Sequence, residues 1–253
     1  MDIKQLYAQF STPVSSPSYP KGPYTFINRE YLIITYTSTP EAIRQALPEP
    51  LEPDGSNKVL YEFIKMPDSS GFGDYEESGV VIPAVFKGEP VNYTAQMYLD
   101  CHPPIAGGRE IWGFPKKDAR PKLRVIQDTL VGRLEYSEQL VAMGTMVYKH
   151  EDLIPDASAK KAMEQRLSKK QVNLKIIPHV SGESYDVFQL ISYQLEGLHL
   201  KSAHRGDARL HLVPHVNAPV ADLPVVSIVD GMHFVADLVL PMGDVLFDYL
   251  KEK

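Results

Sequence analysis

Short runs of aromatic and β-branched residues, separated by Gly, Pro, Asn and Ser, recur along almost the whole chain, and this spacing points to a fold built mainly from strands. The longest run, YTFINREYLIITYT over Tyr24–Thr37, reads as a strand with Arg29 inside it between Asn28 and Glu30. Val59–Met66 carries Glu62 between Tyr61 and Phe63; Val80–Phe86 and Val91–Leu99 are further strands, and Lys122–Lys149 holds two or three more. Strand-like segments return at Asn173–Ile177, Val187–Lys201, Arg209–Val213, Val225–Val229 and Phe234–Leu240. Helix signals are few. Ser38 and Thr39 can cap a helix over Glu41–Leu47 behind Pro40, stopped by Pro48. DASAKKAMEQRLSKK over Asp156–Lys170 has an Asp cap and a narrow stripe of Ala159, Met163 and Leu167. Short helices are also expected at the N-terminus and over Gly243–Leu250. The fold class expected is α+β, predominantly β: a twisted antiparallel or mixed sheet closing into a barrel, with a few peripheral helices.

A chain of 253 residues with no repeat, low-complexity segment or linker is expected to form one domain over 1–253. Ser11–Pro23, crowded with Ser, Pro and Gly, makes residues 1–22 an N-terminal arm, either ordered against a neighbouring subunit or frayed. A net charge of −6 argues against nucleic acid as a partner. The single cysteine, Cys101, excludes an internal disulfide and fits a reducing compartment. The N-terminus lacks an apolar core of signal-peptide length, and no run of about 18 apolar residues suggests a membrane span. A cytoplasmic protein is expected.

Four stretches bear on chemistry. In GREIWGFPKK (Gly108–Lys117), an extended backbone would put Trp112, Phe114 and Lys116 on one face and send Lys117 the opposite way. A lysine among aromatic rings is hard to keep protonated, and a neutral amine attacks carbonyls. The other reading is a Pro115 turn that leaves both lysines in water. The glycine-rich stretch SSGFGDYEESG (Ser69–Gly79) lacks the P-loop lysine and the dinucleotide fingerprint, so a lid or turn presenting Glu76 and Glu77 is expected. His199, His204, His211, His215 and His233 lie in strand-like segments but show no compact metal signature, so no metal is assigned. The basic run Pro115–Arg124, interrupted by Asp118, suits an exposed turn better than an anion grip.

Taken together, KGPYTFINREY, YEF, SGFGDYEESG, AQMYLD and GREIWGFPKK, in that order, resemble the acetoacetate decarboxylase family, from about Ser11 to the LPMGDVLFDYL tail. The resemblance implies that Lys116 is the imine-forming lysine and that Arg29, Glu77 and Glu62 match the family's arginine and two glutamates. Met97 matches an apolar wall position, and Phe26 and Trp112 are expected to shape the substrate pocket. Lys117 would point away from the substrate. It further implies a conical β-barrel, a homo-oligomer (typically a dodecamer), a small β-keto acid substrate, and decarboxylation of acetoacetate without metal or organic cofactor. Two alternatives keep the scaffold: a lysine-dependent aldolase or dehydratase acting on keto acids, and a barrel that binds a small ligand without turnover.

Overall fold

The strand over Tyr24–Thr37 buries four residues in succession, Tyr31 to Ile34, because both of its faces are covered. Leu32, Ile34 and Tyr36 enter one apolar cluster, whereas Tyr31 and Ile33 enter a second on the opposite face. The computed structural model describes residues 1–251 and arranges them around this strand. In chain order the elements are α1 (Ile3–Tyr7), β1 (Tyr24–Thr37), α2 (Pro40–Ala46), β2 (Glu52–Pro53), β3 (Lys58–Met66), β4 (Asp68–Ser69), β5 (Tyr75–Phe86) and β6 (Glu89–Leu99). There follow α3 (His102–Gly107), a π-helical turn (Gly108–Trp112), β7 (Lys116–Asp118), β8 (Arg120–Ile126), β9 (Thr129–Tyr136), β10 (Gln139–Val147) and β11 (Glu151–Asp152). The chain ends with α4 (Ala157–Leu167), β12 (Gln171–Pro178), β13 (Tyr185–Tyr193), β14 (Glu196–Arg205), β15 (Ala208–Leu212), a 3-10 turn (Val220–Asp222), β16 (Ser227–Leu240) and β17 (Asp244–Asp248). The expected caps form: Thr39 accepts from the Ala42 amide, and Asp156 from the Ala159 amide. No described helix is long and apolar enough to cross a membrane.

The main sheet has 13 strands, with β11-β14-β16-β1-β3-β5-β6-β12-β13-β17 as its path and β2, β4 and β7 paired at its sides. Most neighbours are antiparallel; β6 runs parallel to both β7 and β12. The expected barrel is not formed. Among the described residues neither sheet closes on itself, and β11 and β17 stay at opposite ends of the path. Closure is unnecessary because a separate four-stranded sheet, β15-β10-β9-β8, shares an apolar core with one face of the main sheet. Both open ends are charged: β11 consists of exposed Glu151 and Asp152, and β17 begins and ends on aspartate, which discourages edge-to-edge pairing.

Three local expectations also change. The tail over Gly243–Leu250 holds strand β17 rather than a helix, because Asp244–Asp248 finds hydrogen-bond partners along β13. Glu76 and Glu77 lie within β5 rather than on a loop. Gly108–Trp112 is a π-helical turn, so the extended reading holds only from Lys116 onward.

The two sheets meet through a side chain and a gap. Gly132 on β9 stands directly opposite Gly144 on β10, and together they leave a bare patch of backbone. The Phe63 ring from β3 fills it: a methyl added at Gly132 would sit 2.3 Å from Phe63 Cγ, and one at Gly144 2.6 Å from Phe63 Cε2. Gly132→Ala is therefore expected to destabilise the fold by about 1–3 kcal/mol through overpacking, seen as a lower thermal midpoint. Phe63→Leu in the same chain should restore part of the loss.

Candidate active site

The second apolar cluster, on the other face of the main sheet, surrounds a cavity of about 420 Å3. Lys116 enters it from the first residue of β7, which pairs with β6 so that Lys116 stands beside Met97. The π-helical turn sets up this entrance. It ends on Gly113 in the left-handed region (φ 73°), where a side chain would collide with the Lys175 backbone. The lysine stem then lies against Gly108, at which a Cβ would come within 2.7 Å of Lys116 Cδ. Strand parity sends Lys117 the opposite way: its Nζ donates to the Asn217 carbonyl and sits 4.9 Å from the Tyr136 ring centroid.

Lys116 is 7% exposed, and its Nζ lies 4.9 Å from the centre of the Phe114 ring and 5.9 Å from that of Tyr75. Glu77, 2% exposed, reaches it from β5, with Oε2 3.1 Å from Nζ. Parity also separates the two adjacent glutamates. Glu76 faces away, accepting from the Leu123 amide at 2.7 Å and pairing with Arg124 at 2.6 Å. Arg29 approaches Glu77 from β1, Nη2 to Oε1 being 3.7 Å, and its guanidinium lies 4.9 Å from both the Phe26 and Tyr31 rings.

Phe26 and Arg29 are three residues apart, a spacing that should place them on opposite faces. A bulge brings them together: the register of β1 on β16 shifts between them, and Asn28 adopts φ 56°. Asparagine tolerates that left-handed conformation, so the extra residue re-aims the strand.

Burial pushes the Lys116 ammonium below the usual lysine range; the adjacent Glu77 carboxylate opposes this, and the positive charge of Arg29 adds to it. Glu62 lines the same cavity from β3, and burial raises it from 4.5 to about 7, with Arg29 opposing and Glu77 reinforcing the rise. Burial likewise raises Tyr31, Tyr75 and Tyr193, which keeps them as phenols and hydrogen-bond donors. Met97 and Phe26 are on the cavity wall, but Trp112 is not. Trp112 lies behind Phe114, ring centres 5.9 Å apart, and donates Nε1–H to the Pro241 carbonyl at 2.9 Å. Sequence reasoning overlooked Tyr31, Tyr75, Tyr193 and Phe234 as wall residues. Tyr31, two positions after Arg29, was findable by strand parity; Tyr193 comes from a distant strand and carried no local signal. Among the described residues no three His, Cys, Asp or Glu side chains converge as metal ligands, and His233 instead meets Glu30 at 2.9 Å.

A buried amine backed by a carboxylate and a guanidinium and flanked by aromatic rings is the equipment of an enzyme that acts on carbonyl compounds through a nucleophilic lysine. The profile of the family described as acetoacetate decarboxylase (ADC) matches residues 8–250. The chain is 53% identical to the acetoacetate decarboxylase of Paraburkholderia xenovorans, covering 99% of this chain and 97% of the relative. It is 54% identical to that of Ralstonia nicotianae, covering 99% of each. The crystal structure of acetoacetate decarboxylase from Legionella pneumophila superposes with a TM-score of 0.91 at 44% identity, covering 99% of this chain and 97% of that one. The chain belongs to the acetoacetate decarboxylase family.

The raised Glu62 predicts a sloping stability profile. The folded state holds a proton at Glu62 that the unfolded chain releases, so this stabilisation is complete below pH 4.5 and disappears as pH rises through about 7. At about 1.4 kcal/mol per pH unit, the loss is about 3.5 kcal/mol. Thermal midpoints measured across this range should fall with pH in the wild type and much less in Glu62→Gln.

Proposed function

We propose that this protein decarboxylates acetoacetate to acetone and carbon dioxide through an imine formed on Lys116. The observation that carries this reading is the placement of the Lys116 amine: enclosed by rings, lowered by burial and 3.1 Å from Glu77. Direct decarboxylation of a β-keto acid would place an electron pair on a ketone, a poor acceptor. The neutral amine instead adds to the keto carbon and, with uptake of one proton, water leaves, giving a protonated imine. The bond to the carboxylate carbon then breaks, its electron pair forms a C=C bond to the imine carbon as the C=N π pair moves onto nitrogen, and carbon dioxide departs. The resulting enamine takes a proton on carbon, and hydrolysis releases acetone and the free lysine. The protonated imine itself is the electron sink, so no metal or organic cofactor is assigned.

Arg29 carries a permanent charge and a planar fork suited to orienting the substrate carboxylate. A tight grip on that carboxylate would stabilise the ground state and slow its loss. Glu77, already beside Arg29, weakens the grip and stands where it can exchange a proton with the amine. To Glu62, which lines the same cavity and is raised to about 7, this reading assigns proton transfer near neutral pH. Met97 and Phe26 form the apolar wall, and Trp112 supports Phe114 from behind.

The same reading takes residues 1–253 as one domain of a cytoplasmic homo-oligomer, a dodecamer by family resemblance. The N-terminal arm supports association: Ile3, Leu6, Tyr7 and Phe10 are all exposed, an apolar surface suited to a neighbouring subunit.

Borohydride in the presence of acetoacetate should attach the substrate skeleton irreversibly to the Lys116 peptide, with acetone and carbon dioxide as products in its absence. Turnover without an adduct in wild type, or an adduct persisting in Lys116→Met, overturns the reading; condensed acids as products would favour an aldolase. Arg29→Gln and Glu77→Gln should each cost about a hundredfold in kcat, the scale of a misplaced reacting group, with much smaller changes in thermal midpoint. The acid limb of the pH–rate profile reports the Lys116 amine. It should stay in place in Lys117→Met, whose side chain points elsewhere, and move to higher pH when the Arg29 charge is removed.

A further inference from the structure

At about 420 Å3, the cavity is of a size that takes drug-sized ligands, well beyond a four-carbon acid, and strand register explains its shape. Its floor is a ladder of cross-strand rungs. Nearest the charged groups, Tyr31, Ile64 and Glu77 stand side by side on β1, β3 and β5. The next rung is Ile33, Glu62, Gly79 and Met97, with Lys116 beside Met97. Beyond it come Thr35, Leu60, Val81 and Thr94, and then Pro83 opposite Asn92. Each rung advances two residues, about 7 Å. Ile33, Leu60, Val81 and Pro83 therefore line a track of roughly 13 Å that leads away from Met97 to a polar mouth at Ser56, Lys58 and Asn92.

Arg29 lies at the opposite end of this axis from the track, one step of β1 before Tyr31. A 3-oxo acid bonded to Lys116 at its keto carbon, with its carboxylate toward Arg29, must direct its other substituent along the rungs. In acetoacetate that substituent is a methyl group, which leaves the track unfilled. We propose that the track receives the alkyl chain of longer linear 3-oxo acids, and that the protein converts them to methyl ketones. This rests on the imine reading of Lys116. The chemistry balances as before: the bond from the methylene carbon to the carboxylate carbon breaks, its electron pair forms a C=C bond to the imine carbon while the C=N π pair moves onto nitrogen, carbon dioxide leaves, and a proton replaces it on the methylene carbon before hydrolysis. Leu60 and Val81, on the first rung past the lysine, set the chain length accepted.

The test compares acetoacetate, 3-oxohexanoate and 3-oxooctanoate, with the methyl ketones measured by headspace gas chromatography. All three are expected to be substrates of the wild type, with KM falling along the series, since a buried methylene is worth about fourfold. Leu60→Trp or Val81→Trp should lower the ratio of kcat/KM for 3-oxooctanoate to that for acetoacetate at least tenfold. Straight-chain carboxylates from butyrate to octanoate should inhibit the wild type progressively more tightly, a measurement that needs no variant to fold. The proposal is overturned if acetoacetate is turned over and the longer acids are not. It is also overturned if the tryptophan variants slow all substrates in proportion, which would make the track an access route. If acetoacetate is inert and borohydride leaves Lys116 unmodified, the imine reading has failed as well.

Discussion

The Lys116 amine is held between two opposing influences. Its enclosure by Phe114 and Tyr75 disfavours positive charge, while Glu77 at 3.1 Å favours it. Burial is the larger of the two, so the amine titrates below an ordinary lysine. Arg29 pushes in the same direction as burial while also occupying Glu77, so the carboxylate is shared between two cations and given wholly to neither. An isolated charge at this depth would be costly to keep. The triad keeps its charges in mutual contact, and the open cavity leaves the remaining space to a substrate.

The architecture supplies this enclosure by giving the two faces of one sheet different tasks. On one face, Phe63 fits over the paired glycines of the smaller sheet, and the packing there is dense. On the other, the same strands carry Arg29, Glu62 and Glu77 into a cavity that packing does not fill. Because side chains alternate along a strand, each strand serves both faces at once: Tyr61 and Phe63 face the core, and Glu62 between them faces the cavity.

Much of this could be read locally. The alternation rule applied to Lys116–Lys117 separates that pair as the structure does, and the caps at Thr39 and Asp156 follow from residue type; Glu76 and Glu77 separate by the same rule only because they lie in a strand, where the sequence reads as a loop. The rule fails where the backbone departs from regularity. Asn28 inserts a bulge that puts Phe26 and Arg29 on one face, and the π-helical turn over Gly108–Trp112 moves Trp112 behind the cavity wall. Nothing in a single stretch announces either, because each depends on what its neighbours offer as hydrogen-bond partners.

By itself, the sequence determined a strand-rich chain and the family to which the chain belongs, since these rest on composition and residue order, and it left Lys116 either facing inward or turned to water at Pro115. Only the tertiary structure decided that the sheet stays open, that Asp244–Asp248 becomes a strand, that Lys116 points inward, and that Tyr31, Tyr75 and Tyr193 line one cavity. The physical reason is the same in each case. Sheet closure, edge pairing and a cavity wall are relations between segments far apart in the chain, settled by which partner satisfies the backbone and which surface covers the apolar face.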